Sequence, residues 1–140
     1  ISGVGRDKLA DAMLAATLAK KPDLTEAEIA QERAEALRKA YRAPLILAVS
    51  VQYQDSPKVS RPEQRDAVAA AVQNIQLAAH AMGFGCHWRT GPFVTNPVFC
   101  AALGLAPEDE LVALLYIGTI ATPAAPRALA EGTDHLTVWG

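Results

Sequence analysis

One stretch near the middle of the chain, from Pro62 to Met82, constrains the fold more than any other. Its larger apolar side chains recur at intervals of four, three, four and three residues, the spacing of one face of a helix: Val68, Val72, Ile75, Ala79 and Met82. Alanine fills much of the remaining surface, so neighbouring helices can approach it closely. Pro62 suits the first helical turn, and Gly83 suits the end of the helix. The pattern predicts a long helix at the centre of the core or in a subunit interface.

The size and composition of the chain limit its architecture. With 140 residues, we expect a single domain that spans residues 1–140. Alanine supplies 28 of these residues, which favours helices and leaves comparatively few large side chains to fill a core. We therefore expect a helix-rich protein that completes its core through a partner subunit.

The charge and hydropathy patterns exclude two classes of partner. The net charge of −2 comes from 13 basic and 15 acidic residues mixed along the chain, so we expect neither nucleic acid nor anionic membrane as a partner. No apolar run approaches the roughly 18 residues that span a bilayer. With 2 cysteines and no visible signal peptide, a cytoplasmic location fits best.

The rest of the chain divides into shorter helices and strands. The sequence predicts helices over 6–20 and from the Thr25–Glu28 capping box to just before Pro44, strands over 45–53 and 111–120, an extended stretch over 86–89, and a short helix that begins at Asn96-Pro97 and ends at Gly104. The proline-containing tail carries a possible strand in "HLTVW". We expect this tail to wrap across another surface.

The stretch "GCHWRTG", residues 85–91, concentrates polar and reactive side chains between two glycines. Cys86 and His87 are adjacent, and adjacent residues of an extended segment point to opposite faces, so they are badly placed to share a proton as a catalytic pair unless the segment is kinked. We expect Cys86 and Cys100 to be buried, unreactive thiols. No metal site is predicted, because the three histidines are far apart and no metal-binding spacing is present.

A ligand platform remains a candidate role for the "HWRTG" part of this stretch. Trp88 offers a flat ring, Arg89 a planar cation, and Thr90 and Gly91 backbone N–H groups that a ligand can approach. The alternative is a structural tryptophan beside a surface arginine. The residues alone leave both interpretations open.

Several motifs, taken in order, resemble the compact, single-domain branch of the nitroreductase family. An "RAPL" strand, a long helix of small residues that ends in "GFG", a "WRTG" turn and a late "LYIGT" strand follow one another as in that branch. The resemblance extends over most of residues 1–119. It implies an α+β fold with an antiparallel sheet flanked by helices, and a homodimer whose subunits exchange terminal segments.

The resemblance also implies a cofactor and a reaction. FMN would lie in a cleft at the dimer interface, accept a hydride from NADH or NADPH, and pass reducing equivalents to a nitroaromatic, a quinone or a similar small acceptor. No catalytic side chain is then expected, because the flavin carries the chemistry and the protein binds and orients it.

The resemblance assigns cofactor contacts to particular residues. Trp88, Arg89 and Thr90 would lie at the flavin, and Gly91 would keep backbone N–H groups near N5. Arg127 matches a basic residue near the C-terminus that helps to bind the flavin phosphate in many relatives. The stretch 78–83 corresponds to a segment sometimes assigned to the pyridine nucleotide, although a buried helix end offers few free donors.

One departure from the family pattern bears on function. An Arg/Ser-rich segment that grips the FMN phosphate precedes the position of Ile1 in family members, and it is absent from this sequence. We expect that the chain lacks its N-terminal segment. The alternative function is a non-catalytic dimeric scaffold or binding module of the same fold that has lost its flavin site.

Overall fold

The structure is a computed structural model, and it describes residues 1–125, 128 and 132–139. It contains, in order, α1 (Gly5–Lys20), α2 (Glu26–Ala40), β1 (Leu45–Val51), α3 (Arg61–Ala81), β2 (Gly85–Arg89), α4 (Pro97–Ala102), β3 (Glu110–Gly118) and a 3₁₀ turn (Gly132–His135). The predicted helices and the strands before residue 120 are confirmed, with ends that differ by a few residues. The α+β class with an antiparallel sheet is also confirmed.

Side-chain caps explain where the longer helices begin. At α2 the predicted capping box forms, because Thr25 accepts from the Glu28 N–H while the Glu28 carboxylate accepts from the Thr25 N–H. The same reciprocal pair, which the sequence analysis missed, starts α3 with Ser60 and Glu63. Each box satisfies N–H groups that the first helical turn leaves without partners.

The three strands form an antiparallel sheet in the order β1-β3-β2, which leaves β1 and β2 at its edges. Alternate residues of the central strand β3 point to opposite faces. One face, with Leu114 and Tyr116, packs on α1, α2 and α4. The other face, with Ala113 and Leu115, packs on α3. The sheet is thus covered by helices on both sides, and β2 carries the candidate site along one edge.

The position of α3 differs from the prediction of a helix at the centre of the core. Only Val72 and Ala79 of this helix are buried, and Leu77 and the capping residue Met82 are 57% and 71% exposed. The apolar stripe covers the sheet, whereas the alanine-rich remainder faces outward. Within one subunit α3 is therefore an outer layer. The alternative prediction, that α3 lies in a subunit interface, stays a prediction.

The tail also departs from the prediction. The possible strand in residues 135–139 is wrong, because His135 ends a 3₁₀ turn and residues 136–139 form no regular structure. Leu136, Val138 and Trp139 are exposed by 66%, 79% and 93%. No strand neighbour is available to them among the residues described.

In the described part of the chain, no helix is both long and apolar enough to cross a membrane.

Candidate functional site

Strand β2 separates the two central side chains of the "WRTG" motif. Trp88 is half-buried in the cluster against α3, and its indole N–H donates to the Val112 carbonyl at 3.3 Å. Arg89 is exposed and points to the other face, where its partner in the strand register is Leu114. This arrangement follows from the two-residue period of a strand. A single flat ligand can touch both side chains only from the open edge of β2.

The chain leaves β2 through an open turn. Thr90 and Gly91 are both exposed, and a turn extends from Gly91 to Thr95. A Cβ atom at Gly91 would meet no heavy atom within 4 Å apart from its chain neighbours. The backbone of this turn is therefore open to a ligand at Gly91.

Two adjoining concave spaces lie on the Arg89 face of the sheet. The smaller is a cavity of about 210 Å³ bounded by the Arg89–Phe93 turn, and we call it the turn cavity; its other lining residues are Met13, Lys39, Arg42, Leu114 and Tyr116. The larger is a groove of about 430 Å³ between residues 42–44, which precede β1, and strand β2. Arg42, Arg89 and Tyr116 line both spaces, so the two form one continuous surface.

The turn cavity is electropositive. No acidic side chain lines it among the described residues, and within that part of the chain neither Arg42 nor Arg89 has a carboxylate within 4.0 Å. Lys39 is partly neutralised, because its Nζ lies 3.3 Å from Glu35. The pKa of Glu35 is lowered to about 2, mainly by hydrogen bonds from Arg38 and to a smaller extent by Lys39.

Tyr116 brings a hydroxyl group to the same surface. Its side chain is only 7% exposed, and its ring packs in the core cluster under α1 and α2. Burial raises the pKa of Tyr116, and the positive charges of Arg42 and Arg89 act in the opposite direction. Arg42, Arg89 and Tyr116 thus share the lining of both spaces.

The other residues that the sequence singled out lie apart from this surface or outside the described part of the chain. Arg127 lies outside the described residues, so its predicted contact with a flavin phosphate stays a prediction. The stretch 78–83 forms the end of α3 and its cap. The N–H groups of Met82, Gly83 and Phe84 donate to carbonyls of α3, which agrees with the expected shortage of free donors there.

The two cysteines behave as small apolar residues. Burial raises the pKa of the Cys86 and Cys100 thiols, which disfavours the reactive thiolate. Both are half-buried rather than fully buried as predicted. Cys86 packs in the cluster against α3, and both Cys86 and His87 line the groove. Among the described residues, no three His, Cys, Asp or Glu side chains are grouped so that they could hold a metal ion.

Sequence reasoning missed Lys39, Arg42 and Tyr116 as members of this surface. Their proximity comes from the antiparallel register, which pairs Leu45 with Ile117 and Tyr116 with His87. Arg42, three residues before Leu45, is thereby brought beside the end of β3 and next to β2. A correct guess of the strand order β1-β3-β2 would have found the group, but the spacing of residues along the chain gave no such signal.

The fold and the site together define an α+β protein with an accessible turn at the edge of a small antiparallel sheet. The sequence pattern of the nitroreductase family matches residues 1–119. The chain belongs to the nitroreductase family, which confirms the resemblance seen in the motifs.

Comparison with individual proteins agrees with this membership. The chain is 42% identical over 79 residues to "Putative NAD(P)H nitroreductase YdjA" of Escherichia coli (strain K12), a match that covers 56% of this chain and 43% of that protein. It is 32% identical over 101 residues to a "Putative NAD(P)H nitroreductase" of Haemophilus influenzae, with 71% and 55% covered. The chain thus spans about half the length of these curated relatives.

A solved structure shows the same architecture over almost the whole chain. The crystal structure of a nitroreductase-like family protein from Bacillus cereus superposes with a TM-score of 0.79 at 28% sequence identity, and the match covers 98% of this chain and 69% of that one. The predicted nitroreductase-like fold is therefore confirmed.

Proposed function

We propose that this chain contributes the flavin-contacting turn of an FMN-dependent oxidoreductase. The enzyme would take reducing equivalents from NADH or NADPH and pass them to a nitroaromatic, a quinone or a similar small acceptor. Membership of the nitroreductase family and the names of the relatives from E. coli and H. influenzae support this proposal.

The observation that carries the proposal is the open backbone at Gly91. Nothing within 4 Å would contact a Cβ there, so a planar ring can lie directly against the turn and receive hydrogen bonds from its N–H groups. Arg89 adds an exposed cation without an acidic partner among the described residues. The residues present therefore fit an anionic, flat cofactor such as FMN.

The two faces of β2 would play different parts in this site. Arg89 and Thr90 would contact the cofactor, while Trp88, half-buried in the cluster against α3, holds β2 against that helix. The β2 edge of an antiparallel sheet also leaves every second residue with a free N–H and C=O. Such donors and acceptors suit the polar rim of a flavin ring.

The proposed function requires no acid-base pair from the protein. When bound, FMN supplies the hydride chemistry at N5. The protein then has to bind the ring, orient it and limit the access of water. The inertness expected of Cys86, whose pKa is raised by burial, is consistent with a site that uses no protein nucleophile.

We also propose that the protein is a homodimer with FMN near the subunit interface. The support is an apolar groove of about 380 Å³ along the end of α3, lined by residues that include Ile75, Met82 and Phe84. Met82 and Phe84 are 71% and 40% exposed in one subunit. Exposed apolar surface of this kind is typical of an interface. A second subunit would also give the exposed residues 136–139 a surface to cover.

The test of the cofactor is an FMN titration of the Arg89→Ala variant beside the wild type. Loss of a hydrogen bond to a charged group predicts weaker FMN binding by about 1–3 kcal/mol. The matched control is Arg33→Ala on α2, which removes another exposed arginine that lines neither the turn cavity nor the groove. Equal FMN affinity in all three proteins would rule out the role of Arg89. A dimeric protein that does not bind FMN at all would instead be the non-catalytic scaffold.

A further inference from the structure

The amide of Asn96 is buried directly behind the turn over residues 91–95. Apart from Tyr116, Asn96 is the only buried polar residue in the described part of the chain, and it is 3% exposed. A buried amide without hydrogen-bond partners would carry the full cost of its desolvation. Its partners therefore show what the side chain does in the fold.

Hydrogen bonds from Asn96 link three parts of the structure. Its backbone N–H donates to the Phe93 carbonyl in the turn at 3.0 Å. Its side-chain oxygen accepts from the Phe99 N–H of α4 at 3.0 Å, and its side-chain nitrogen donates to the Ala16 carbonyl of α1 at 3.4 Å. The opposite orientation of the amide would place donor against donor and acceptor against acceptor. The side chain is thus both the N-cap of α4 and a tie between α4 and α1.

Only the tie to α1 requires an amide. A helix cap needs an acceptor, which serine, threonine or aspartate supplies equally well. Thr25 and Ser60 cap α2 and α3 in this way at exposed positions, with bonds inside their own first turns. The tie to Ala16 needs a donor in the same short side chain, and asparagine offers both groups. The tie therefore explains an asparagine at this buried cap.

The turn itself depends on α4 for its shape. Among the described residues, no backbone N–H of residues 91–95 donates a hydrogen bond to the chain. The turn is held instead by the Cys100 thiol, which donates to the Val94 carbonyl at 3.4 Å, and by the ring of Phe93, which lies 5.2 Å from that of Phe99. Any shift of α4 relative to α1 would therefore move the turn.

We propose that Asn96 is a positioning residue that fixes the turn over residues 91–95 against α1 and thereby sets the place of the backbone at Gly91. A binding group that is already held in its bound position loses less conformational freedom when the ligand arrives. As a statement about the flavin, the inference rests on the proposed function. The tie itself belongs to the chain alone and can be tested without a cofactor.

Three variants separate the tie from the cap. Asn96→Ser keeps an acceptor for the first turn of α4, but its one short hydroxyl does not span both partners. Asn96→Asp keeps the size of the side chain and the cap, and presents an acceptor where the donor was. Thr25→Ala is the matched control, because it removes the cap of α2 away from the turn. Circular dichroism would establish that each variant is folded.

The first measurement uses the 2 cysteines of the chain as local reporters in protein without flavin. Cys100 contacts the turn, whereas Cys86 packs in the cluster against α3. The rate at which N-ethylmaleimide alkylates each thiol is followed by peptide mass spectrometry. We expect Cys100 to react about fivefold faster in both Asn96 variants than in the wild type and Thr25→Ala, the size of one lost hydrogen bond. The rate of Cys86 should be equal in all four proteins.

Two results of the alkylation experiment would overturn the proposal. One is a Cys100 rate that neither Asn96 variant changes. The other is equal acceleration of Cys86 and Cys100, or acceleration of Cys100 in Thr25→Ala, since either would mean general destabilisation rather than release of the turn.

The second measurement is an FMN titration of the same four proteins, with the visible spectrum of the bound flavin recorded at saturation. We expect about fivefold weaker binding and a displaced flavin band in both Asn96 variants, and wild-type behaviour in Thr25→Ala. Faster alkylation of Cys100 with unchanged FMN affinity and spectrum would overturn the positioning role. Faster alkylation of Cys100 in a protein whose wild type binds no FMN would leave the tie standing and contradict the proposed function.

Discussion

Trp88 and Arg89 are adjacent in sequence and lie on opposite faces of β2. The Trp88 indole donates to the Val112 carbonyl at 3.3 Å within the cluster under α3, whereas Arg89 lines the turn cavity. The motif therefore combines a residue that stabilises the strand with a residue that faces ligands. Substitutions at the two positions should have separable effects.

Trp88→Ala should destabilise the protein without abolishing the charge of the site. For a half-buried ring we expect a loss of about 2–3 kcal/mol in the free energy of unfolding, below the roughly 3–5 kcal/mol of fully buried aromatic residues. Arg89→Ala should change the free energy of unfolding by less than about 0.5 kcal/mol, because the side chain is exposed. Urea unfolding measures both. Equal destabilisation by the two variants would contradict the division of roles.

Gly91→Ala should affect ligand binding and leave stability unchanged. The added methyl group would meet no neighbour within 4 Å, so the folded chain can accept it, but it would occupy space against which the flavin is proposed to lie. Gly118→Ala is the contrasting variant, because its Cβ would lie 2.7 Å from Cδ of Pro44. We expect the first variant to lose FMN affinity and the second to lose stability. Unchanged FMN affinity in folded Gly91→Ala would argue against close approach of the ring.

Glu110 should make stability depend on pH in the acid range. Its pKa is lowered from the ordinary 4.5, first by the hydrogen bond from Arg65 at 2.6 Å and also by the hydroxyl of Tyr53. A carboxylate with a lowered folded-state pKa stabilises the fold above its unfolded pKa, and this contribution disappears as pH falls through the folded value. Because the Arg65 and Glu110 side chains are 44% and 38% exposed, we expect less than about 1 kcal/mol.

The measurement for Glu110 compares Glu110→Gln with the wild type by urea unfolding at several pH values. The difference in stability should be constant near neutral pH and should shrink below about pH 4.5, the range in which an unperturbed carboxylate is protonated. Glu108→Gln is the matched control, since only the backbone carbonyl of Glu108 accepts from Arg61 in the described part of the chain. A pH-independent difference for Glu110→Gln would contradict the ion pair.

Met82→Lys should weaken self-association. Met82 is 71% exposed and lines the apolar groove at the end of α3, so a buried charge there would oppose a subunit interface. Gln31→Lys on the exposed surface of α2 adds the same charge elsewhere. Sedimentation velocity should find the wild type and Gln31→Lys as dimers and Met82→Lys shifted toward monomer. A wild-type protein that remains monomeric at high concentration would contradict the proposed dimer.

The sequence predicted the helices and strands that depend on patterns among neighbouring residues. The Thr25–Glu28 box, the spacing of residues 62–82 and the apolar runs at 45 and 111 each encode their structure within a few neighbours, so the elements were found. The turn at Gly91 was found through its motif. The sequence did not reveal the outward position of α3, because a stripe that packs on a sheet and a stripe at the centre of a core have the same spacing.

The electropositive cavity could not be predicted, because it depends on long-range pairing. Arg42 and Arg89 line one cavity together with Tyr116 because β3 lies between β1 and β2 in the sheet. The tail was misjudged for a related reason. Residues 135–139 have strand-forming side chains, but a strand needs a neighbouring strand, and local sequence does not specify one.

The proposed flavin chemistry is tested by titration of the protein with FMN, followed by anaerobic addition of NADH or NADPH while the visible absorbance of the flavin is recorded. We expect saturable binding of FMN, then bleaching of the bound flavin much faster than that of free FMN, and a higher FMN concentration at half-saturation in Gly91→Ala. Flavin that remains free at every protein concentration, or bound flavin that neither nucleotide reduces, would contradict it.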